Sequence, residues 1–124
     1  MIGIGVDVIE LSRMAETIER SGELFLKRAF SNDEIQKARL SDNPTNYYAS
    51  SFAAKEAVFK ALTLGWEREV DFREIEVGRG DCGEPLVRLR GDIKARAKAK
   101  GCHRVLVSIS YETDLAVAMA FVEG

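Results

Sequence analysis

The chain predicts an α+β fold: an antiparallel β-sheet with helices packed on one face, in a single domain spanning 1–124. Three observations carry that expectation. Period-two alternation marks residues 2–8 and 104–122, and helical spacing fills most of the stretch between them. The second alternating region folds back through Glu112-Thr113-Asp114, a turn sequence, so its two strands run antiparallel. Its last strand puts Ala116, Ala118 and Ala120 on one face, a row of methyl groups suited to a helix lying close against the sheet. A length of 124 residues suits one domain, and no repeat, low-complexity tract or linker divides it.

Taken in order, residues 2–8 form the first strand. Ile2, Ile4, Val6 and Val8 make its core face, and Gly3, Gly5 and Asp7 point the other way. A helix follows with an apolar stripe of Leu11, Met14, Ala15 and Ile18, and Gly22 stops it. Residues 23–29 add a short turn of helix around Phe25 and Leu26. Ser31-Asn32-Asp33-Glu34 is a capping box that opens a second helix, ending before Ser41. Asn43-Pro44 reads as N-cap and first helical residue of a third helix, which Gly65 ends. Residues 72–77 read as a strand, 78–83 as a glycine-rich turn and 85–89 as the hairpin partner. A short basic helix covers residues 92–100 and Gly101 closes it. Val105, Val107 and Ile109 then alternate against Leu106, Ser108 and Ser110.

Bulk properties narrow the function. A net charge of −2 argues against nucleic acid as a partner. No apolar run approaches the roughly 20 residues of a membrane span, and Asp7 and Glu10 interrupt any signal-like start. Cys82 and Cys102 form no C-x-x-C pair and His103 is the single histidine, which argues against a zinc site or a disulfide framework. Free thiols of a cytoplasmic protein are the expectation.

Two places could hold chemistry. Gly3 and Gly5 leave room beside Asp7 for a ligand or for another backbone. From the strand alone, Asp7 is either a cap for the helix that follows or part of a site, capping being the simpler role. Glu56 and Lys60, in "FAAKEAVFKA", are one helical turn apart and alone would be an exposed ion pair. The alanines Ala53, Ala54, Ala57 and Ala61 imply close packing around that helix and weigh against a merely decorative pair. Two carboxylates and a lysine are the groups that magnesium-assisted phosphoryl transfer needs. The basic run Lys94, Arg96, Lys98 and Lys100 is a surface helix face first and a phosphate site second. Trp66 reads as a packing residue and His103 as a solvated one.

These motifs resemble the holo-acyl-carrier-protein synthase group of 4'-phosphopantetheinyl transferases across nearly the whole chain. "GIGVDVIEL" is similar to the opening strand of that family, "FAAKEAVFKAL" to its signature helix, "GEP" to its hairpin and "VSISYETDLAVAMAFV" to its closing hairpin. The resemblance implies magnesium-dependent transfer of phosphopantetheine from coenzyme A to a serine of an apo acyl carrier protein, with release of adenosine 3',5'-bisphosphate. It further implies a homotrimer with active sites between subunits, and fatty-acid biosynthesis or another carrier-protein line as the setting. By position, Asp7 and Glu56 fall on the metal ligands and Lys60 on the lysine near the transferred phosphate. Lys60, Gly65, Pro85, Ser110 and Tyr111 fall along the coenzyme A site. Arg13 falls on a carrier-binding arginine, with Arg20, Lys27 and Arg28 as nearby candidates. The match supplies Asp7 with a partner carboxylate and turns it from a cap into a metal ligand.

The chain departs from the pattern in one direction. Tyr111 stands where the family has histidine, Ser51 where it often has arginine, and Asp42 and Asn43 where it often has basic residues. Those family residues hold coenzyme A phosphates. The alternative that follows is a carrier-binding module with reduced or lost coenzyme A binding.

Overall fold

The computed structural model describes residues 3–65 and 69–124; Ile2 and Trp66, both assigned roles above, lie outside them. In chain order the elements are β1 (Gly3–Glu10), α1 (Leu11–Ala29), α2 (Asn32–Leu40), α3 (Pro44–Leu62), a 3-10 turn (Phe72–Glu74), β2 (Ile75–Arg79), β3 (Pro85–Leu89), α4 (Gly91–Ala99), β4 (Arg104–Glu112) and β5 (Leu115–Glu123). β5 is the centre of a three-stranded antiparallel sheet, ordered β1-β5-β4, and β2 and β3 form a separate antiparallel hairpin. The α+β expectation therefore holds.

The local signals explain most boundaries. Gly22 breaks α1 with φ 50° and ψ −132°, a conformation that a Cβ disfavours. Ser31 and Glu34 make the reciprocal capping box of α2, and Asn43 caps α3 ahead of Pro44. Two boundaries differ from expectation. Asp71 accepts a hydrogen bond from the Arg73 amide and winds residues 72–74 into a 3-10 turn, so the strand starts only at Ile75. α3 ends at Thr63, which adopts a left-handed φ of 52°, before Gly65 is reached. Its terminal carbonyls are met by cations. Arg96 donates to the Leu64 carbonyl at 2.9 Å, and Lys100 reaches the Thr63 hydroxyl at 2.8 Å. Part of the basic run thus closes the end of α3 rather than decorating a surface.

The face of β1 that meets the core is the reverse of the expected one. Ile4, Val6 and Val8 are 57%, 50% and 51% exposed, while Gly5 is buried and Ile9 packs into the interior. The reason is α3. A Cβ built on Gly3 would lie 1.7 Å from the Ala61 carbonyl oxygen, and one on Gly5 2.1 Å from that of Ala57. Only glycine lets the helix backbone rest on the strand, and the opposing alanines of α3 and β5 complete the close approach. Ala15, assigned to the stripe of α1, is likewise exposed, whereas Met14 is buried. The outer face of the sheet, with Ile4, Val6, Val8, Leu106 and Met119, is left uncovered.

Below α3 lies a buried ion pair. Lys55 and Glu34 are 0% and 1% exposed and 2.8 Å apart. Lys55 also donates to the carbonyls of Phe72 and Ile75, and Glu34 accepts from the Val77 and Ser31 amides. Burial lowers the Lys55 pKa and the charge of Glu34 works against that fall. With its hydrogen-bonding capacity met, the pair ties α2, α3 and β2 into one body.

Candidate active site

Asp7 lies on the inner face of β1 opposite Ala118, whose small side chain leaves its carboxylate room. Lys60 comes down from α3 and donates to Asp7 Oδ1 at 3.0 Å and to the Val6 carbonyl at 3.1 Å. The Asp7 side chain is 13% exposed and Lys60 51%. Asp7 Oδ2 is buried and, among the described residues, has no hydrogen-bond partner. One turn before Lys60, Glu56 is half-buried. Its pKa is raised, first by burial and then by the negative charge of Asp7, while Lys60 pulls the other way.

Asp7, Glu56 and Lys60 therefore form one electrostatic unit. One lysine faces two carboxylates, and a buried carboxylate oxygen is left unsatisfied. An uncompensated acidic pair of this kind is suited to a small divalent cation that takes its other ligands from water and phosphate. No cluster of three or more potential metal-ligating side chains occurs among the described residues, so any ion here rests on this pair.

The capping role for Asp7 is overturned. Glu10 occupies the N-cap of α1 without a side-chain bond, and Asp114, from the β4–β5 turn, caps the helix instead. It accepts from the Ser12 amide at 3.1 Å and the Ser12 hydroxyl at 2.6 Å, and its carbonyl accepts from the Leu11 amide at 2.7 Å.

The remaining candidates do not converge on this trio. Gly65, with φ 76°, lies beyond the end of α3, and Pro85 opens β3 opposite Arg79. Ser110 and Tyr111 alternate to opposite faces of β4; the Tyr111 hydroxyl donates to the Asn46 carbonyl at 3.4 Å. Asn46 is in the first turns of α3, about 15 Å along the axis from Glu56 at ~1.5 Å per residue. Arg13 and Arg20 are exposed on α1 and pair with Glu10 and Glu16 at 3.7 and 4.0 Å. Lys27 pairs with Glu23 at 3.8 Å. Arg13 also lines a 470 Å³ groove with Met14, Phe25 and Phe52, and Lys27 and Arg28 border a neighbouring one of 860 Å³.

Ser51 lies on another flank of α3, roughly 140° around the axis from Glu56 at about 100° per residue. It is fully buried, and Arg79 from β2 donates to the hydroxyls of Ser50 and Ser51 at 3.2 and 3.3 Å. The guanidinium sits 4.5 Å over the Tyr47 ring. Arg79, Tyr47 and Lys55 were not anticipated from the sequence, because their partners are remote in the chain.

Residues 3–120 match the model of the 4'-phosphopantetheinyl transferase superfamily. The chain is 39% identical over 121 residues to the holo-[acyl-carrier-protein] synthase of Clostridium acetobutylicum, covering 98% of this chain and 96% of that one. The crystal structure of the Neisseria meningitidis holo-[acyl-carrier-protein] synthase superimposes with a TM-score of 0.91 at 33% identity over the full length of both chains. That of the Helicobacter pylori enzyme in complex with coenzyme A gives 0.83 at 29% identity, covering 97% of this chain and 99% of that one. The chain belongs to the 4'-phosphopantetheinyl transferase superfamily. It is a transferase of the small type that the two superimposed structures represent.

Proposed function

We propose that the chain is a holo-[acyl-carrier-protein] synthase. It moves the 4'-phosphopantetheine group of coenzyme A to a serine of an apo acyl carrier protein and releases adenosine 3',5'-bisphosphate. The observation that carries this reading is the Asp7–Glu56 pair with its unsatisfied Oδ2 and its single lysine.

Asp7 and Glu56 would hold a magnesium ion, which when bound supplies positive charge against the coenzyme A pyrophosphate. Lys60 offsets further charge on the transferring group. The carrier serine oxygen forms the new bond to the β-phosphorus, and the bond to the bridging pyrophosphate oxygen breaks toward the nucleotide. A site carboxylate takes the serine proton. No nucleophile from this chain is required.

The exposed cations on α1 support docking of an acidic carrier. Arg13 lines the apolar groove that includes Phe52, one turn before Glu56, Arg28 borders the neighbouring groove, and Arg20 is exposed further along α1. The uncovered sheet face with Ile4, Val6, Val8 and Met119 supports assembly into a homotrimer with sites between subunits. No described helix is long and apolar enough to cross a membrane, and both cysteines are free thiols. The proposal sets the enzyme in the cytoplasm, in fatty-acid biosynthesis or another carrier-protein line, with the whole of 1–124 acting as one transferase domain.

The test is to incubate the protein with coenzyme A, magnesium and apo carrier proteins, and to weigh each carrier. Addition of one phosphopantetheine group is expected. No mass gain across several carriers, including one from the same source, would sink the proposal.

A further inference from the structure

The end of α3 is held in a conformation that its own sequence resists. Thr63 adopts φ 52° and ψ 41°, a left-handed region that β-branched residues rarely enter because the side chain crowds the backbone. The contacts that hold it come from α4. Lys100 donates to the Thr63 hydroxyl at 2.8 Å and to the Thr63 carbonyl. That hydroxyl donates in turn to the Leu62 carbonyl at 2.7 Å. Arg96 donates to the Leu64 carbonyl at 2.9 Å. Both cations also face the negative end of the α3 dipole. The donor side is rigid. Ile93 and Ala97, at 1% and 2% exposure, root α4 in the main core. The amides of Lys100, Gly101 and Cys102 donate back to carbonyls of the last turn of α4, with Gly101 at φ 87°.

The held side leads to the candidate active site. The Thr63 amide donates to the Lys60 carbonyl at 3.1 Å, and the Lys60 ammonium donates to Asp7 Oδ1 at 3.0 Å. Contacts therefore run without a gap from Lys100 through Thr63 and Lys60 to Asp7. Lys60 depends on such support. It stands in the last turn of α3, where helices fray, and its side chain is 51% exposed, so little besides its tip contacts and its backbone directs it. We propose that α4 is a latch on the end of α3, in which Lys100, acting through Thr63, is a positioning residue that sets the reach of Lys60 to Asp7. Its catalytic task rests on the coenzyme A reading above. The basic run of α4 thereby acquires a role in transfer although it lies on a different element from Asp7, Glu56 and Lys60. Arg96 shares the task by holding the next carbonyl in the chain.

The experiment is a double-mutant cycle in the full-length protein: wild type, Lys100→Gln, Lys60→Ala and the two combined, with Lys100→Arg as the conservative variant. Carrier modification is followed by mass over a range of coenzyme A concentrations in magnesium. Lys100→Gln should lower kcat about threefold to tenfold and leave the coenzyme A KM near its wild-type value. In the Lys60→Ala background the same change should have no further effect, because the group it positions is gone. Lys100→Arg should keep most of the rate, since guanidinium also presents several donors to the two Thr63 oxygens. Amide hydrogen exchange supplies a readout that needs no turnover. The Thr63 amide should exchange several-fold faster in Lys100→Gln than in wild type, with the amides of residues 53–57 unchanged. An unaltered kcat, equal losses in the two backgrounds, or an unchanged Thr63 exchange rate would overturn the latch. A wild type that transfers nothing, while Lys100→Gln still speeds Thr63 exchange, would remove the coenzyme A reading and the catalytic task of Lys100 with it, and would leave the latch on Lys60 standing.

Discussion

α3 carries two lysines that each meet a carboxylate, and the two pairs differ in almost everything else. Lys55 and Glu34 are sealed at 0% and 1% exposure, and the five hydrogen bonds they make to one another and to backbone groups leave little unmet. Lys60 and Asp7 are 51% and 13% exposed, and one Asp7 oxygen is buried without a partner. The first pair has no capacity left for a ligand and serves the fold. The second is one cation short, because Glu56 adds a further negative charge to the same place. Residual charge and unsatisfied valence, rather than the presence of an ion pair, separate the proposed metal-binding pair from the structural one.

The largest effect should come from the unsatisfied side. Asp7→Ala and Glu56→Ala are each expected to lower carrier modification by about a thousandfold or more, roughly 4 kcal/mol of barrier, with little change in thermal midpoint. Near-normal turnover by either variant at limiting magnesium would remove the metal assignment. The sealed side should show the opposite pattern. Lys55→Met strands Glu34 in the interior and should cost about 3–5 kcal/mol of stability, read as a fall in urea midpoint. Adding Glu34→Leu should recover part of that loss. A Lys55→Met protein as stable as wild type would show that the pair does not hold the elements together.

Smaller effects sharpen the contrast. Lys60→Ala should slow transfer about tenfold to a hundredfold by loss of a charged contact, yet cost under about 1 kcal/mol of stability because the pair is half open to water. The magnesium-free protein should be slightly stabilised by Glu56→Gln. The Glu56 pKa is raised in the fold, so its stabilising contribution is fully present below the unfolded value of about 4.3 and is lost as pH rises through the folded value. The gain from Gln should thus appear at neutral pH, amount to less than about 1 kcal/mol after solvent screening, and vanish in acid. Thermal melts across that range check it.

What the chain revealed unaided followed from local chemistry. The Ser31–Glu34 box, the Asn43-Pro44 start and the alanine row of β5 are short-range signals, and each stands where expected. The orientation of β1 was not legible, because its apolar alternation describes a buried face equally well whether a helix or a second copy covers it. Gly3 and Gly5 held the answer, yet their meaning depends on the Ala57 and Ala61 carbonyls of a distant helix. Asp7, Glu56 and Lys60 were legible through the motif order. Their convergence, the capping of α1 by Asp114, and the seating of Arg79 on Ser50 and Ser51 are long-range facts that no local spacing encodes.

The most direct test of the contrast is cation binding itself. Magnesium titrated into coenzyme A-loaded wild type, Asp7→Asn and Glu56→Gln, followed by calorimetry, should show one bound equivalent in the wild type and none in either variant. A Lys55→Met control that still folds should bind as wild type does. Unchanged magnesium affinity in Asp7→Asn or Glu56→Gln would contradict the claim that the unsatisfied pair is the metal centre.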